Sequence, residues 1–225
     1  MPFSRPEPLC RGRREIAPFS IPRRLSDLIF RRVGIYFPET PAETDETMDG
    51  NGRKQLLLHT CCGPCASGCV GALTEAGRVF ALFFSNSNLA DREEYDKRLE
   101  AAKTVADRCG AELIADPYDH EAWLAAVKGL EDEPERGARC RKCFAFSLAR
   151  TALEAEKRGM NFATTLTVSP HKSSDTIFEI GGAWPFFEPW NFKKNDGFLK
   201  SVRNSRDWGL YRQTFCGCEF SRRKH

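Results

Sequence analysis

Cysteine is the residue type with the most potential for chemistry in this sequence. The chain has 10 cysteines among 225 residues. Most of them lie in three short segments: Cys61, Cys62 and Cys65; Cys140 and Cys143; Cys216 and Cys218. Thiolates bind zinc and iron–sulfur clusters and are the reactive species in disulfide exchange. Paired cysteines at distant positions therefore predict a metal or redox site, whereas the isolated Cys10, Cys69 and Cys109 are interpreted as small buried apolar residues.

The first cysteine segment runs from His59 to Cys65, directly after an apolar run and before a predicted helix. A helix N-terminus favours thiolates over thiols because of the helix dipole. We expect Cys61 and Cys62 to be metal ligands, with Cys65 as a further candidate. The stretch Cys-Gly-Pro-Cys at 62–65 is also typical of thioredoxin-like exchange enzymes. That alternative would leave the other paired cysteines without a role.

The other two segments are also compatible with metal binding. A two-residue spacer allows Cys140 and Cys143 to reach one metal or one cluster, and neighbouring arginine and lysine side chains would offset thiolate charge. Gly217 gives the backbone between Cys216 and Cys218 the freedom to turn both sulfurs inward. Four thiolates suit a structural zinc ion equally well. The surplus of cysteines beyond four favours redox chemistry, and a zinc-stapled tRNA-binding or thiolation protein without redox chemistry stays open as an alternative.

Apolar runs alternate with helical patterns after residue 54. We predict strands over 55–59, 79–84, 112–115 and 162–166, and helices over 66–75, 91–109, 120–127 and 143–157. Strands that alternate with helices indicate an α/β fold with a layered parallel sheet, in which ligands gather at the carboxyl ends of the strands. The sequence therefore predicts that the cysteine-rich loop after the first strand lies at a ligand-binding edge.

Residues 1–53 differ from the rest of the chain, being rich in proline and arginine and then acidic. We expect a disordered or loosely packed extension with one short helix over 25–33, followed by a single α/β catalytic domain over 54–225. No apolar run approaches the roughly 20 residues of a membrane span, and the first residues lack a secretory core. We therefore expect a cytoplasmic protein with no membrane association. A net charge of +3 permits nucleic-acid binding.

Six separated motifs carry a family resemblance: HTCCGPC, SNSN, PYDHEAW, RCRKCFAFSLARTALEAEKRG, TTLTVSPHK and GLYRQTFCGCEFS. Together they resemble the QueH-type epoxyqueuosine reductases over about residues 54–221. The resemblance implies a fold of the adenine-nucleotide-hydrolase-like type (HUP, Rossmann-like). It also implies reduction of epoxyqueuosine to queuosine at the wobble position of tRNA, the last step of queuosine biosynthesis.

The resemblance also implies a cofactor and its ligands. Members of the family carry a 4Fe-4S cluster, and the matching cysteines here are Cys61, Cys62, Cys140 and Cys143. Cys216 and Cys218 match a terminal pair that is either a redox-active disulfide or a ligand set for an additional adjacent iron. The tRNA and an unidentified electron donor are the expected partners.

Residues outside the cysteine segments complete the expected site. Removing an epoxide oxygen as water requires a proton donor, for which the candidates are His59, Tyr211 and Asp175. We expect the polar side chains near the family motifs to contact phosphate or the nucleoside: His171, Lys172, Arg212 and Gln213, together with Lys193 and Lys194. A third set offers aromatic faces for an unstacked base: Trp184, Phe186, Phe187, Trp190 and Phe192. For His59, a role in the core at the end of the strand is slightly favoured over catalysis.

Overall fold

The computed structural model describes residues 48–49 and 52–222. Most of the expected N-terminal extension, the helix expected over 25–33, and Cys10 lie outside the described residues. Nothing in the structure tests those three expectations.

Four parallel strands form the central sheet. They are β1 (Leu56–Thr60), β2 (Phe80–Phe84), β3 (Leu113–Ala115) and β4 (Asn161–Thr164), in the order β3-β2-β1-β4. The predicted parallel α/β class is confirmed. The last strand is shorter than predicted because the Thr164 side chain accepts a hydrogen bond from Leu166 N at 3.1 Å and starts a 3-10 turn over Thr165–Val168.

The helices that connect and cover the strands begin and end at local signals. They are α1 (Gly63–Glu75), α2 (Arg92–Cys109), α3 (His120–Val127), α4 (Ala138–Lys157), α5 (Ser174–Gly181), α6 (Gly197–Asp207) and the short α7 (Glu219–Arg222). The side chains of Asp91 and Asp119 accept hydrogen bonds from backbone N–H groups and cap α2 and α3. Helix α4 begins earlier than the predicted residue 143, because a Glu133 carboxylate oxygen accepts from Ala138 N at 3.1 Å. Both cysteines of the second segment therefore lie at the start of a helix.

Each face of the sheet has its own core. Leu56 and Leu58 point to the face covered by α1, α2 and α6, whereas Leu57 points to the face covered by α3, α4 and α5. This alternation follows from the two-residue period of a strand and explains why β1 is apolar throughout. Strand β1 is thus buried on both sides and fixes the position of the loop that follows it.

The strand order creates a topological switch point between β1 and β4. The chain proceeds from β1 to β2 and β3 on one side, and then returns to place β4 on the other side of β1. The helix that follows β1 packs on one face of the sheet, and the helix that follows β4 packs on the other face. This divergence opens a crevice at the carboxyl ends of the two strands, where α/β proteins bind ligands. The first cysteine segment lies in this crevice.

None of the helices in residues 52–222 combines the length and the apolarity that crossing a bilayer requires.

Helices α1 and α6 approach each other closely through small residues, which yields a stability prediction. A Cβ atom at Gly68 would lie 2.6 Å from the Gly197 carbonyl oxygen and 2.8 Å from Ser201 Cβ. We expect Gly68→Ala to lower the free energy of unfolding by about 1–3 kcal/mol in urea denaturation of the metal-free protein. Gly71, in the same helix with no atom within 4 Å of its Cβ position, is the matched control. Gly71→Ala should raise that free energy by about 0.5–1 kcal/mol, and equal effects of the two substitutions would contradict the close contact.

Candidate metal and redox centre

The first cysteine segment lies where β1 ends and α1 begins. Cys62 is the N-cap of α1, and its sulfur accepts a hydrogen bond from the Cys65 backbone N–H at 3.4 Å. Pro64 lies in the first turn, where a helix does not need its N–H. The sulfurs of Cys61, Cys62 and Cys65 lie within 4.8 Å of one another, the closest set of three metal-ligating groups found in the described residues. These thiols can share one metal ion or contact one cluster.

The 3-10 turn that follows β4 supplies a polar partner for this segment. The Thr165 hydroxyl accepts a hydrogen bond from the Cys61 backbone N–H at 3.1 Å and lies 3.4 Å from the Cys61 sulfur, to which it can donate. Thr165 directly follows β4, and Cys61 directly follows β1. The parallel pairing of the two strands therefore brings the threonine to the cysteine.

The second segment opens α4. Cys140 accepts a hydrogen bond from the Arg136 backbone N–H at 3.2 Å. Arg136 has a φ of +68°, a left-handed conformation that a non-glycine residue adopts at some cost. Arg139 is 2% exposed, and its guanidinium donates to the carbonyl oxygens of Leu130, Glu131 and Glu133. Arg139 thus orders the loop before α4 and only secondarily offsets thiolate charge.

A buried ion pair holds the third segment in place. The Arg98 Nε lies 2.6 Å from a Glu94 carboxylate oxygen, and both side chains are about 5% exposed. The remaining guanidinium nitrogens donate to the Cys216 carbonyl at 3.0 Å and the Phe215 carbonyl at 3.2 Å. Gly217 has a φ of +108° and packs against Leu89 and Arg98, so a side chain would not fit there. This ion pair on α2 therefore sets the path of the C-terminal cysteine loop.

The three cysteine segments meet at one site. Cys61, Cys62 and Cys218 belong to the same buried cluster, and Cys65 and Cys143 pack against it. The positive charge of Lys172 favours the thiolate form of Cys61, Cys143 and Cys216, one from each segment, although burial still raises the pKa of Cys143. Cysteines that are far apart in sequence thus interact with the same ammonium group.

One thiol in each of the first and third segments is acidic. Hydrogen bonds from the Cys62 and Cys65 thiols hold the pKa of Cys61 well below its usual range. A hydrogen bond from the Cys218 thiol lowers the pKa of Cys216 to about 6, and the charges of Lys172 and Arg98 act in the same direction. Cys216 is therefore a thiolate at neutral pH in the metal-free protein.

The pKa values of two other thiols and of Lys172 are raised. The hydrogen bond to Cys61 raises the pKa of Cys62 to about 12, and burial raises the pKa of Cys143 to about 12. Burial disfavours the charged form of Lys172, but the thiolates of Cys61 and Cys216 outweigh it and raise the Lys172 pKa. The site thus holds a permanent cation beside its acidic thiols.

The expected proton donors occupy three different environments. His59 is buried, and burial lowers its pKa. Its Nε2 lies 3.1 Å from the Ser85 carbonyl and its Nδ1 lies 2.8 Å from the Thr164 hydroxyl, so the neutral ring joins β1 to both of its neighbours. The Tyr211 hydroxyl donates to Glu94 at 2.6 Å, whereas Asp175 is exposed in the first turn of α5.

The residues expected to contact phosphate or the nucleoside also occupy different environments. The side chains of His171, Lys194 and Arg212 are exposed. Lys193 Nζ donates to the Lys172 carbonyl and to the Ser174 hydroxyl at 3.0 Å, so it supports the loop before α5. Lys172 itself faces the cysteines.

The aromatic residues expected to stack on bases mostly pack inward. Trp184 and Phe192 are buried, and the rings of Phe186 and Phe187 contact Phe162 in β4. Trp190 stacks on Phe192. This aromatic group therefore closes the edge of the sheet beside β4.

Hydrogen-bond donors face the sulfurs expected to be ligands, which is the main feature that sequence reasoning missed. The Thr165 hydroxyl faces Cys61, Gln213 Nε2 lies 3.1 Å from the Cys62 sulfur, and the Arg136 N–H faces Cys140. Burial raises the pKa of Cys143, and the buried indole N–H of Trp123, which faces the Cys143 thiol, opposes that rise. Thr165 and Gln213 lie in recognisable motifs, whereas nothing in the sequence signals the left-handed backbone of Arg136.

Donors aimed at buried sulfurs fit cluster ligation. A cluster-bound thiolate accepts hydrogen bonds, and such bonds are one means by which proteins tune iron–sulfur centres. The donor set and its surroundings therefore suit an iron–sulfur cluster.

The fold and the site together define an α/β protein with a cysteine centre at its topological switch point. The family model described as epoxyqueuosine reductase QueH matches residues 56–224. An epoxyqueuosine reductase QueH of Thermotoga maritima is 38% identical over 185 residues, covering 76% of this chain and 93% of that protein. The Streptococcus pyogenes serotype M1 protein of the same name is 34% identical over 75% of this chain and 71% of its own length. The Acinetobacter baylyi protein is 34% identical over 75% and 81%.

This chain belongs to the QueH family of epoxyqueuosine reductases. It is therefore an oxidoreductase.

The acidity of Cys216 yields a pH prediction for the metal-free protein. The thiolate is the form that reacts with iodoacetamide, so the alkylation rate of exposed Cys216 should be half-maximal near pH 6 and level above pH 7. An ordinary thiol reaches its half-maximal rate near pH 8.5. Cys216→Ser should remove this fast phase, as measured by mass spectrometry of alkylated peptides. A Cys216 rate that still climbs between pH 7 and 9 would contradict the proposed environment.

Proposed function

We propose that this protein reduces epoxyqueuosine to queuosine at the wobble position of tRNA with a 4Fe-4S cluster bound by Cys61, Cys62, Cys140 and Cys143. The observation that carries the proposal is the meeting of the three cysteine segments at the switch point of the sheet, in a chain of the epoxyqueuosine reductase family. The donors that face these sulfurs support the ligand set.

The reaction determines what the site must supply. An epoxide becomes an alkene and water when both carbon–oxygen bonds break, with two electrons and two protons consumed. A cluster held by these cysteines would pass on electrons one at a time from an unidentified electron donor. The polypeptide must then hold the base, exclude competing reactions and provide protons to the leaving oxygen.

Lys172 is our candidate for the residue that holds a proton at the site. Its Nζ stays protonated because the neighbouring thiolates raise its pKa against the effect of burial. His59 is a weaker candidate, since both ring nitrogens are already hydrogen-bonded within the sheet. Tyr211, whose hydroxyl is engaged by Glu94, and the exposed Asp175 are the remaining proposals from the sequence.

Cys216 and Cys218 remain open between two roles, a redox-active disulfide and ligands of an additional adjacent iron. Their thiols share a hydrogen bond, and Cys216 is acidic, which suits either role. Cys65 is a further thiol at the same site, because its sulfur lies with those of Cys61 and Cys62. An iron count distinguishes the two roles of the terminal pair.

We infer that the exposed His171, Lys194 and Arg212 contact the tRNA backbone. Phosphate contacts from such side chains position an RNA without reading its sequence. Lys193 contributes indirectly. Its ammonium group donates to the Lys172 carbonyl oxygen and so holds the loop that contains Lys172, and burial lowers the Lys193 pKa. A tRNA substrate and free thiols both fit a cytoplasmic enzyme. We assign the activity to a single catalytic domain over 54–225.

The strand order β3-β2-β1-β4 supports the HUP type of Rossmann-like fold. The cysteines lie in the loop that would otherwise bind phosphate.

The thioredoxin-like alternative can be compared with the geometry of Cys62. Thioredoxin-like exchange needs an accessible and acidic first cysteine in its Cys-x-x-Cys motif. Cys62 is 0% exposed, and its pKa is raised to about 12. This disfavours exchange as the main activity.

The proposal predicts iron and sulfide in protein purified without oxygen. We expect about four irons per chain for one cluster, or more with an additional iron, with visible absorbance that bleaches on reduction. Zinc without iron in protein never exposed to oxygen would contradict the proposal and favour a structural metal site. Turnover is measured as queuosine formed in tRNA that carries epoxyqueuosine.

A matched pair of substitutions tests the ligand assignment. Cys140→Ala should lose the cluster and the activity, because it removes a thiolate ligand. Cys109→Ala, at a half-buried cysteine in α2, should retain both. Iron analysis and circular dichroism separate cluster loss from unfolding, and a Cys140→Ala protein with full iron content would refute the assignment.

A further inference from the structure

Gln213 lies beside the cysteine site with one half of its amide engaged and the other half free. Its Nε2 is 3.1 Å from the Cys62 sulfur. Its Oε1 is buried and has no hydrogen-bond partner within residues 52–222. The neighbouring residues point elsewhere, since Arg212 is exposed with its guanidinium over the Phe198 ring and Thr214 is exposed. Gln213 is thus the residue of this stretch that enters the site.

The amide presents its N–H end to Cys62, and this is the end that a metal-bound Cys62 would require. A metal-bound thiolate has no proton and only accepts hydrogen bonds, so it requires the N–H end of the amide. The carbonyl oxygen must then point away from the sulfur. Its lack of a partner is therefore a consequence of the contact that Nε2 makes.

A buried carbonyl oxygen without a partner is costly. Leaving such a group unsatisfied costs about 1–3 kcal/mol, and native proteins satisfy nearly all of them with protein, water or ligand. The free oxygen is on the same side chain that contacts a candidate cluster ligand. Under the proposed function, the reacting base must come close to that ligand. A hydroxyl or N–H group of the modified base has the chemistry to complete this hydrogen bond.

We propose that Gln213 has two roles: its N–H group positions and tunes the Cys62 thiolate, and its carbonyl oxygen accepts a hydrogen bond from a hydroxyl or N–H of the substituent that the modified base carries and guanine lacks. This inference rests on the proposed function. It makes Gln213 a residue that distinguishes epoxyqueuosine tRNA from tRNA with an unmodified wobble guanine. It also links recognition of the base to the electronic properties of the cluster through one side chain.

Two substitutions separate the two roles. Gln213→Glu keeps an acceptor oxygen and loses the N–H donor, whereas Gln213→Leu loses both. Thr214→Val, at the exposed neighbour, is the control for a change in the same loop. Each protein is checked for iron content and for its circular dichroism spectrum.

The first measurement is the midpoint potential of the cluster by anaerobic optical titration without tRNA. Hydrogen bonds to sulfur stabilise the reduced, more negative cluster. The potential should therefore fall in both Gln213 variants and stay unchanged in Thr214→Val. Unchanged potentials in iron-loaded Gln213 variants would overturn the role at Cys62.

The second measurement is the ratio of dissociation constants for tRNA with unmodified guanine and tRNA with epoxyqueuosine, taken on the oxidised enzyme. Using the ratio cancels any general effect of a new charge on RNA binding. Gln213→Leu should lower this ratio by about tenfold, the value of one good hydrogen bond to a buried group. Gln213→Glu should lose much less.

The outcomes distinguish this inference from the proposed function. An equal ratio in wild type and Gln213→Leu would mean that water or nothing satisfies the oxygen, and would overturn the substrate contact. Wild-type protein that contains iron and reduces epoxyqueuosine while both variants match it in every measurement would overturn this inference alone. Wild-type protein without iron or without reductase activity would overturn the proposed function, and this inference with it.

Discussion

Negative charge on buried sulfur is the physical constraint on which the site depends. A thiolate removed from water must be compensated by hydrogen-bond donors and cations, or it takes up a proton instead. The structure supplies part of this compensation: the Thr165 hydroxyl lies at the Cys61 sulfur, the backbone N–H of the left-handed Arg136 donates to Cys140, Cys62 lies at the N-terminus of α1, and the charge of Lys172 favours the thiolates of Cys61 and Cys216. The sheet and its helices place these groups around one point.

The same constraint explains why so many polar residues lie in and beneath the site. His59 joins three strands at the carboxyl edge of the sheet, and the Arg98–Glu94 pair holds the carbonyls of the C-terminal loop. Buried ion pairs contribute little net stability but fix geometry when every hydrogen bond is made. Here the fixed geometry is that of Cys216 and Cys218. Supporting residues of this kind are needed because a cofactor site must be held more rigidly than loops usually are.

Family membership and geometry carry different parts of the functional argument. Relatives that share 34–38% identity over three quarters of the chain establish the enzyme family. The geometry adds roles for residues that motifs alone do not rank, such as Lys172 among the cysteines and Gln213 at Cys62. It also weakens the case for His59 as a proton donor and for Lys193 as a phosphate contact, because their nitrogens make hydrogen bonds within the protein.

Local sequence patterns were enough to predict the α/β class and the position of the first cysteine segment after β1, because these depend on periodicity and on side chains within a few residues. It also identified the paired cysteines, since their spacing is a local property. The approach of the three segments to one another, and the contacts of Thr165 and Gln213 with sulfur, could be read from the folded chain alone. Thr165 and Gln213 are far in sequence from the cysteines they contact, and these contacts follow from the order of strands in the sheet, which no local pattern encodes.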